Sequence, residues 1–478
     1  MRKGMNWTPE LRDFIQTHLN DDMAELLLAA GRYRDIDVPA AVEQIEARRK
    51  LREKLPEWWG NAELVMGGRV PAEQCSSEVT ARYKRSIIEG ESLCDMTGGM
   101  GVDFWYMSEG MERAIYTERS EELCEVARHN FEVLQTLSSP FLQGGSNISA
   151  NEGGNGKTDE QGNHSLPAGR VRGGSVVRGV SVRCGDGREL PIPSVDVIYL
   201  DPARRAGDGS RVYAMEDCEP NIVEWQDELL SHARMVLAKL SPMVDLTDVL
   251  RKLHHVAEIH IVAVKNECKE VLVKQQTLPS PSLQGGGSIS AKEGGNGETS
   301  EQGNHSLPAG RVRGGSAVRG GSAVEVHCVD FMGERVLHYA AKFPDEMEVL
   351  VTENGVGRYL YEPDVTLMKA QLFGSLCHRF PVRQLDYDTH LMTSDELLPD
   401  FPGRIFEVEE QIPFSSKVLK RLKRDIPQAN IATRNFVMTA DQLRQRTGIR
   451  DGGSVYLFGA KMRGEGDVLL KCRKRNGA

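Results

Sequence analysis

Seven short apolar runs alternate with helical stretches between residues 91 and 343, and that alternation leaves few folds open. The runs are Ser92–Asp95, Ala114–Glu118, Val180–Cys184, Val195–Leu200, Met235–Leu240, Ile259–Val264 and Val324–Phe331. Asp103–Ser108, Ser120–Leu137, Pro220–Ala233, Leu246–Leu253 and Asn266–Lys274 read as the helices between them. Strands taken in turn with helices predict an α/β fold, a doubly wound Rossmann-like parallel sheet.

The alternation emerges only when two segments are set aside. Residues 139–175 match residues 280–316 at 31 of 37 positions. Two distant copies with no helical or strand period do not make a solenoid. Rich in Gly, Ser, Asn and Gln, they have little to bury, so 139–179 and 280–322 are expected to be disordered inserts. Such loops are thermodynamically cheap, because closure entropy grows only logarithmically with length.

The 478 residues exceed one domain of roughly 150. Residues 1–74 carry helical periodicity at Leu11, Phe14, Ile15, Leu19, Val42, Ile45 and Leu51, which predicts a helical N-terminal region. Residues 75–343 form the sheet domain. Residues 344–410 (strand Glu348–Thr352, helix Asp364–Phe380, strand Arg404–Glu410) and 411–478 read as two small α+β units.

No apolar run approaches the ~18 residues of a membrane span, so no membrane partner is expected. Nine cysteines without a C-x-x-C pair argue for reduced thiols in a cytoplasm, and against a disulfide framework or a zinc site; no metal is expected. The net charge of −10 is unevenly spread: residues 403–478 hold 16 basic and 8 acidic groups, and the rest of the chain is −18. Lys417, Lys420, Arg421, Lys423 and Arg424 are dense enough for a nucleic-acid surface, although a solvated helix face explains most charge runs.

Ligands bind such sheets at the C-terminal strand ends. Asp95 ends the first strand and is followed by Thr97, Gly98, Gly99 and Gly101, a sharp turn into a helix. The loop lacks the Gly-Lys-Ser/Thr of a P-loop, which argues against a nucleoside triphosphatase. Glu118 ends the second strand, 23 residues on, where an acid accepts from two ribose hydroxyls. Asp186 follows the third strand, and Asp201-Pro202-Ala203-Arg204-Arg205 follows the fourth. Each acid alone reads more readily as a cap or turn residue; four in succession point to one crevice.

The series resembles the class I S-adenosylmethionine-dependent methyltransferases over roughly residues 75–340. The whole chain is similar to a bacterial family with a THUMP-like C-terminal domain, through EQCSSEVTARYK (73–84), KLSPMVDL (239–246), AVKNECKEVL (263–272), RYLYEPDVTLMKA (358–370) and SVYLFGAKMRGEGDVLLKCRK (454–474). The resemblance implies S-adenosylmethionine as cofactor, RNA as partner, and a ferredoxin-like segment (344–410) before the THUMP-like end (411–478). It implies that Asp95, Thr97, Gly99 and Gly101 surround the methionine and ribose, Glu118 the ribose and Asp186 the adenine. Asp103 would hold the cofactor amine through a water, or simply favour the helix N-terminus. Asp201, Pro202 and Arg204 would stand beside the reacting methyl.

Amine-methylating relatives carry an aromatic after the prolines, and this motif has none. Arg204 and Arg205 would contact phosphate or base, or pair with nearby acids. Lys265 and Asn266 end a strand on the same rim and are candidate substrate contacts, with Lys420, Arg421, Lys423 and Arg424 farther along. Carbon methylation needs a cysteine nucleophile; the Asp-Pro loop has none, and the nearby candidates Cys184 and Cys268 read more readily as inert buried thiols, so amine methylation is favoured. An RNA-binding protein with an impaired methyltransferase fold, or a methyltransferase for protein or small molecules, are the alternatives.

Overall fold

The computed structural model describes residues 7–138, 179–204, 215–277 and 323–475, with only the backbone of Leu137, Ser138 and Arg204. The two expected inserts fall outside the described residues, apart from Gly179.

Six helices come first: α1 (Pro9–Thr17), α2 (Met23–Leu28), α3 (Val38–Leu51), α4 (Pro56–Gly60), α5 (Arg69–Gln74) and α6 (Glu78–Ser86). Thr8, Asp22 and Asp37 cap the first three by accepting from backbone N–H groups of the opening turn. Leu11, Ile15, Leu26, Val38 and Ile45 pack into one small core. The helices are tied to the sheet domain by amide side chains acting as backbone mimics. Gln44 exchanges two hydrogen bonds with Met66, and Asn130 does the same with Val65.

The sheet domain runs β1 (Ser92–Asp95), α7 (Val102–Met107), β2 (Arg113–Glu118), α8 (Glu121–Ser138), β3 (Val180–Cys184), β4 (Val195–Leu200), β5 (Ala203–Arg204), β6 (Cys218–Glu219), α9 (Ile222–His232), β7 (Ala233–Leu240), α10 (Leu246–Lys252), β8 (Val256–Val264), β9 (Glu267–Gln276), β10 (Val324–Met332) and β11 (Arg335–Phe343). Nine strands form one sheet in the order β11-β10-β8-β9-β7-β4-β1-β2-β3. The order reverses between β1 and β4, which opens a crevice at their C-terminal ends.

The sheet is mixed, not wholly parallel as expected. β9 runs antiparallel to both β7 and β8, and β11 antiparallel to β10. The helix expected at Asn266–Lys274 is therefore a strand. Lys265 and Asn266 both take positive φ (55° and 60°) and close a two-residue hairpin that turns the chain straight back along β8. Asparagine tolerates that conformation through local hydrogen bonding.

The C-terminal part runs β12 (Tyr359–Pro363), α11 (Val365–Ala370), α12 (Phe373–Arg379), β13 (Arg383–Gln384), β14 (Met392–Ser394), β15 (Gly403–Pro413), α13 (Ser416–Asp425), β16 (Asn430–Arg434), α14 (Ala440–Thr447), β17 (Val455–Met462) and β18 (Gly466–Arg475). A single seven-stranded sheet, β13-β14-β12-β15-β18-β17-β16, spans it. β15 pairs with β12 on one side and β18 on the other. Two local expectations are corrected. Glu348–Thr352 is not a strand and holds only an isolated bridge at Val351. The helix expected over Asp364–Phe380 is broken at Gln371, whose φ of 55° ends α11 before α12 begins.

Candidate functional site

A cavity of about 630 Å³ opens at the C-terminal ends of β1, β2, β3, β4 and β7. Its wall includes Asp95, Thr97, Gly99, Gly101, Asp103, Glu118, Asp186, Asp201 and Pro202. Nine of the expected residues, spread over more than a hundred positions of sequence, thus share one space.

The loop after β1 is built by hydrogen bonds to neighbouring strand ends. Asp95 accepts from Thr97 N at 2.9 Å and is almost wholly buried. Burial pushes its pKa well above the ordinary carboxylate value, and Asp103, Asp201 and Glu118 add repulsion. Gly98 donates its N–H to Thr117 O at 2.8 Å. Its missing side chain is required, because a Cβ there would lie 2.2 Å from the Tyr116 ring. Gly99 donates to Glu118 Oε2 at 2.8 Å, and Glu118 Oε1 accepts from Ser120 N at 2.8 Å. Both oxygens of the β2 acid are therefore oriented by backbone. Thr97 joins β1 to β4: its hydroxyl accepts from Asp201 N at 2.7 Å.

At the opposite end Asp186 forms a two-pronged pair with Arg188, at 3.0 and 2.6 Å. The Arg188 hydrogen bond holds the Asp186 carboxyl down at about 2. Arg188 also reaches Glu219 at 2.8 Å.

Behind the Asp201 edge lies a network that strand-end reasoning missed. Lys239, on β7, donates to Asp201 Oδ2 at 2.5 Å and to Ser76 Oγ at 3.2 Å. Lys84, on α6 and fully buried, donates to Glu270 of β9 at 2.6 Å and to Ser76 at 3.2 Å. It lies 3.1 Å from Asp103 Oδ1. Asp103 Oδ2 accepts from Ser76 and Tyr199 hydroxyls, both at 2.7 Å. Burial opposes ionisation of Asp103, but Lys84 and Lys239 outweigh it and hold its pKa at about 2. Burial likewise opposes the Lys239 charge, and Asp201, Asp103 and Glu270 outweigh it and raise its pKa. The Asp103 expected beside a cofactor amine is thus also the centre of an internal ion cluster. A lysine near the end of the otherwise apolar run Met235–Leu240 was the available signal for Lys239.

The remaining expected residues lie elsewhere. Lys265 and Asn266 sit in the β8–β9 hairpin and do not line the cavity. Asn266 is engaged there, donating its N–H to Asp330 and accepting through its side chain from Val365 N. Lys420, Arg421, Lys423 and Arg424 are exposed on α13. The Arg204 side chain and all of Arg205 fall outside the described residues.

The residues fit an adenosyl ligand. The volume lies within the roughly 300–1,000 Å³ of small-molecule sites. Carboxylates stand at the end of β2 and after β3, the two positions where the resemblance expects ribose and adenine. Gly99 meets only Thr97 O, 3.8 Å from a notional Cβ, so the loop leaves space beside its backbone.

Known proteins share sequence and fold with this chain. A profile of THUMP domain-like sequences matches residues 403–474, and one of ferredoxin-like domains matches residues 359–402. The crystal structure of a candidate methyltransferase from Porphyromonas gingivalis W83 superposes with a TM-score of 0.73 at 32% identity, covering 98% of each chain. Uncharacterized S-adenosylmethionine-dependent methyltransferases from two Mycobacterium tuberculosis strains, CDC 1551 and H37Rv, are 24% identical over 262 residues. That match spans 54% of this chain and 58% of theirs, so the chain covers little more than half the length of these curated relatives. The chain belongs to the S-adenosylmethionine-dependent methyltransferase family whose members end in ferredoxin-like and THUMP-like domains.

Proposed function

We propose that this protein transfers a methyl group from S-adenosylmethionine to a base nitrogen of RNA, with the basic C-terminal domain holding the RNA backbone. One observation carries the methyltransferase part: a single cavity gathers Asp95, Glu118, Asp186 and Asp201 from four strand ends. When bound, the cofactor supplies an electrophilic methyl on a sulfonium.

Glu118 is placed to accept from the ribose hydroxyls, and Asp186 to accept from the adenine amine, with Arg188 fixing its orientation. Asp201 stands at the wall as an acceptor aligned by Lys239, suited to orienting an amine and taking up its proton. Trp225 of α9 also lines the cavity and offers the aromatic surface that Asp-Pro-Ala-Arg lacks. Neither Cys184 nor Cys268 reaches the wall; Cys75 and Cys218 do, and burial pushes the Cys75 thiol up, which makes it a poor nucleophile and leaves Cys218 as the wall thiol that a carbon-methylating route would need.

RNA is supported by the THUMP-like match and by the +8 charge of residues 403–478. Two measurements test the proposal. Calorimetric titration should show one S-adenosylmethionine per chain, and radiolabelled methyl should pass to RNA from a strain lacking the protein. Absence of cofactor binding would remove the enzymatic reading. Binding with label passing only to protein or small molecules would remove RNA.

A further inference from the structure

Three imidazoles form a row across β8, β10 and β11, away from the cavity wall. His260 and His327 face each other in the parallel register of β8 and β10, their rings stacked at 4.6 Å. His338 of β11 continues the row, its Nε2 3.2 Å from His327 Nδ1. Glu258, two residues before His260 on the same face, places Oε2 3.1 Å from His260 Nε2. One ligand atom each from Glu258, His260 and His327 lies within 4.8 Å of the others.

We propose that Glu258, His260 and His327 bind a divalent transition-metal ion of the zinc class, with His338 closing the site on its solvent side. Ligand atoms of a tetrahedral site with bonds of ~2.0 Å stand roughly 3.3 Å apart. Two of the required separations already have that length: Glu258 to His260 at 3.1 Å, and His327 to His338 at 3.2 Å. The Glu258, His260 and His327 ligand atoms stand within 4.8 Å of one another, so a shared ion requires the stacked His260 and His327 rings to turn out of parallel. His327 is half-buried and His338 exposed, so the outer pair has room to turn and the ion has a path in.

Imidazole with one carboxylate suits zinc, cobalt or nickel; magnesium and calcium require all-oxygen sets. The surroundings support the same class. Tyr83 OH lies 2.8 Å from His260 Nδ1, the outer partner that keeps the opposite nitrogen facing an ion. Lys274 lies 3.2 Å from both Glu258 oxygens and competes for their charge. Glu325 lies 3.9 Å from His327 Nε2 and equally far from Lys342, so each carboxylate near the imidazoles has one ammonium group beside it.

The test uses the full chain, free of any affinity tag and stripped with a chelator. It is titrated with Co²⁺ as a visible-absorption probe, and Zn²⁺ then displaces the Co²⁺. One equivalent should bind, with the absorption of a four-coordinate ion. His327→Ala and Glu258→Gln should each weaken binding at least tenfold, while thermal melting of the metal-free variants confirms that they fold. His338→Ala should weaken binding less. No uptake by the folded chain at micromolar metal would overturn the proposal. So would uptake unchanged in His327→Ala and His338→Ala, which would place the ion on other thiols or imidazoles.

Discussion

Lys239 Nζ lies 2.5 Å from Asp201 Oδ2, joining the penultimate residue of β7 to the carboxylate that faces the cavity from the end of the neighbouring strand. Removing one member of a largely buried pair leaves the other uncompensated, a loss of about 3 kcal/mol or more. Asp201 is partly exposed, so Lys239→Met should fall at the lower end. If Asp201 orients the nucleophile, turnover should drop on the order of 100-fold, as for loss of a positioned acid–base group. S-adenosylmethionine affinity should change little. Separate measurement of cofactor Kd and of kcat checks this, and an unchanged kcat would detach Lys239 from the chemistry.

Lys84 and Glu270 form a buried pair, joined to the cavity through Ser76 and Asp103. Lys84→Met and Glu270→Gln should each destabilise the protein by about 3–5 kcal/mol. The double variant should lose less than the two losses added together, because the Lys84 and Glu270 charges leave as a pair and Asp103 keeps Lys239. Urea unfolding of all four proteins measures that coupling.

Adjacent glycines of the β1 loop should respond differently. Gly98→Ala drives a Cβ to within 2.2 Å of the Tyr116 ring and displaces the residue whose hydroxyl donates to Gly99 O. Overpacking of this kind costs about 1–3 kcal/mol. Gly99→Ala meets no atom nearer than 3.8 Å, but its φ of 55° costs about 1 kcal/mol for a residue with a side chain. Melting temperatures should separate the two, and both should weaken cofactor binding.

Strand ends were legible and the network behind them was not, for a physical reason. Glu118 and Asp186 announce themselves because a charge directly after an apolar run must sit where the strand meets solvent. Lys84 and Glu270 lie 186 positions apart, and their pairing depends on β9 entering the sheet antiparallel beside β7. The one cue to that strand was Asn266, read as a helix start although its side chain equally suits the left-handed turn of a hairpin. The break at Gln371 was hidden similarly: glutamine carries no preference for positive φ, and tertiary packing imposes it.

Asp330 and Asp364 place two carboxyl groups where β10 meets the start of α11. Asp330 is fully buried, accepting from Asn266 N, and Asp364 caps α11. Burial first, and then the Asp364 charge, push the Asp330 pKa up to about 7, against 3.8 ordinarily. The folded chain therefore keeps a proton that the unfolded chain releases. Stability from this group is greatest below about pH 4, falls as pH rises toward 7, and is level above. Asp330→Asn should flatten that decline and make the protein more stable than wild type at pH 8. Urea midpoints at pH 5 and pH 8 decide it; an equal decline in both proteins would exclude Asp330 as the source.

The α13 helix buries Leu419 and Leu422 and turns Lys417, Lys420, Arg421 and Arg424 outward. Only Asp425 pairs with any of them among the described residues, at 3.8 Å from Arg421 and 3.2 Å from Arg424. Counting exposed Lys423, five cations stand on this helix with one acid at its C-terminal end, and they repel one another unless an anion covers them. A phosphate backbone would release counterions on binding there, so RNA affinity should fall steeply with salt. Replacing Lys417, Lys420, Arg421 and Arg424 by Gln should leave cofactor binding intact and lower the slope of log K against log salt by up to about 3, at roughly 0.7 per contact on single strands. An unchanged slope would place the RNA on another face of the protein, because a surface that contributes no counterion release makes no phosphate contact.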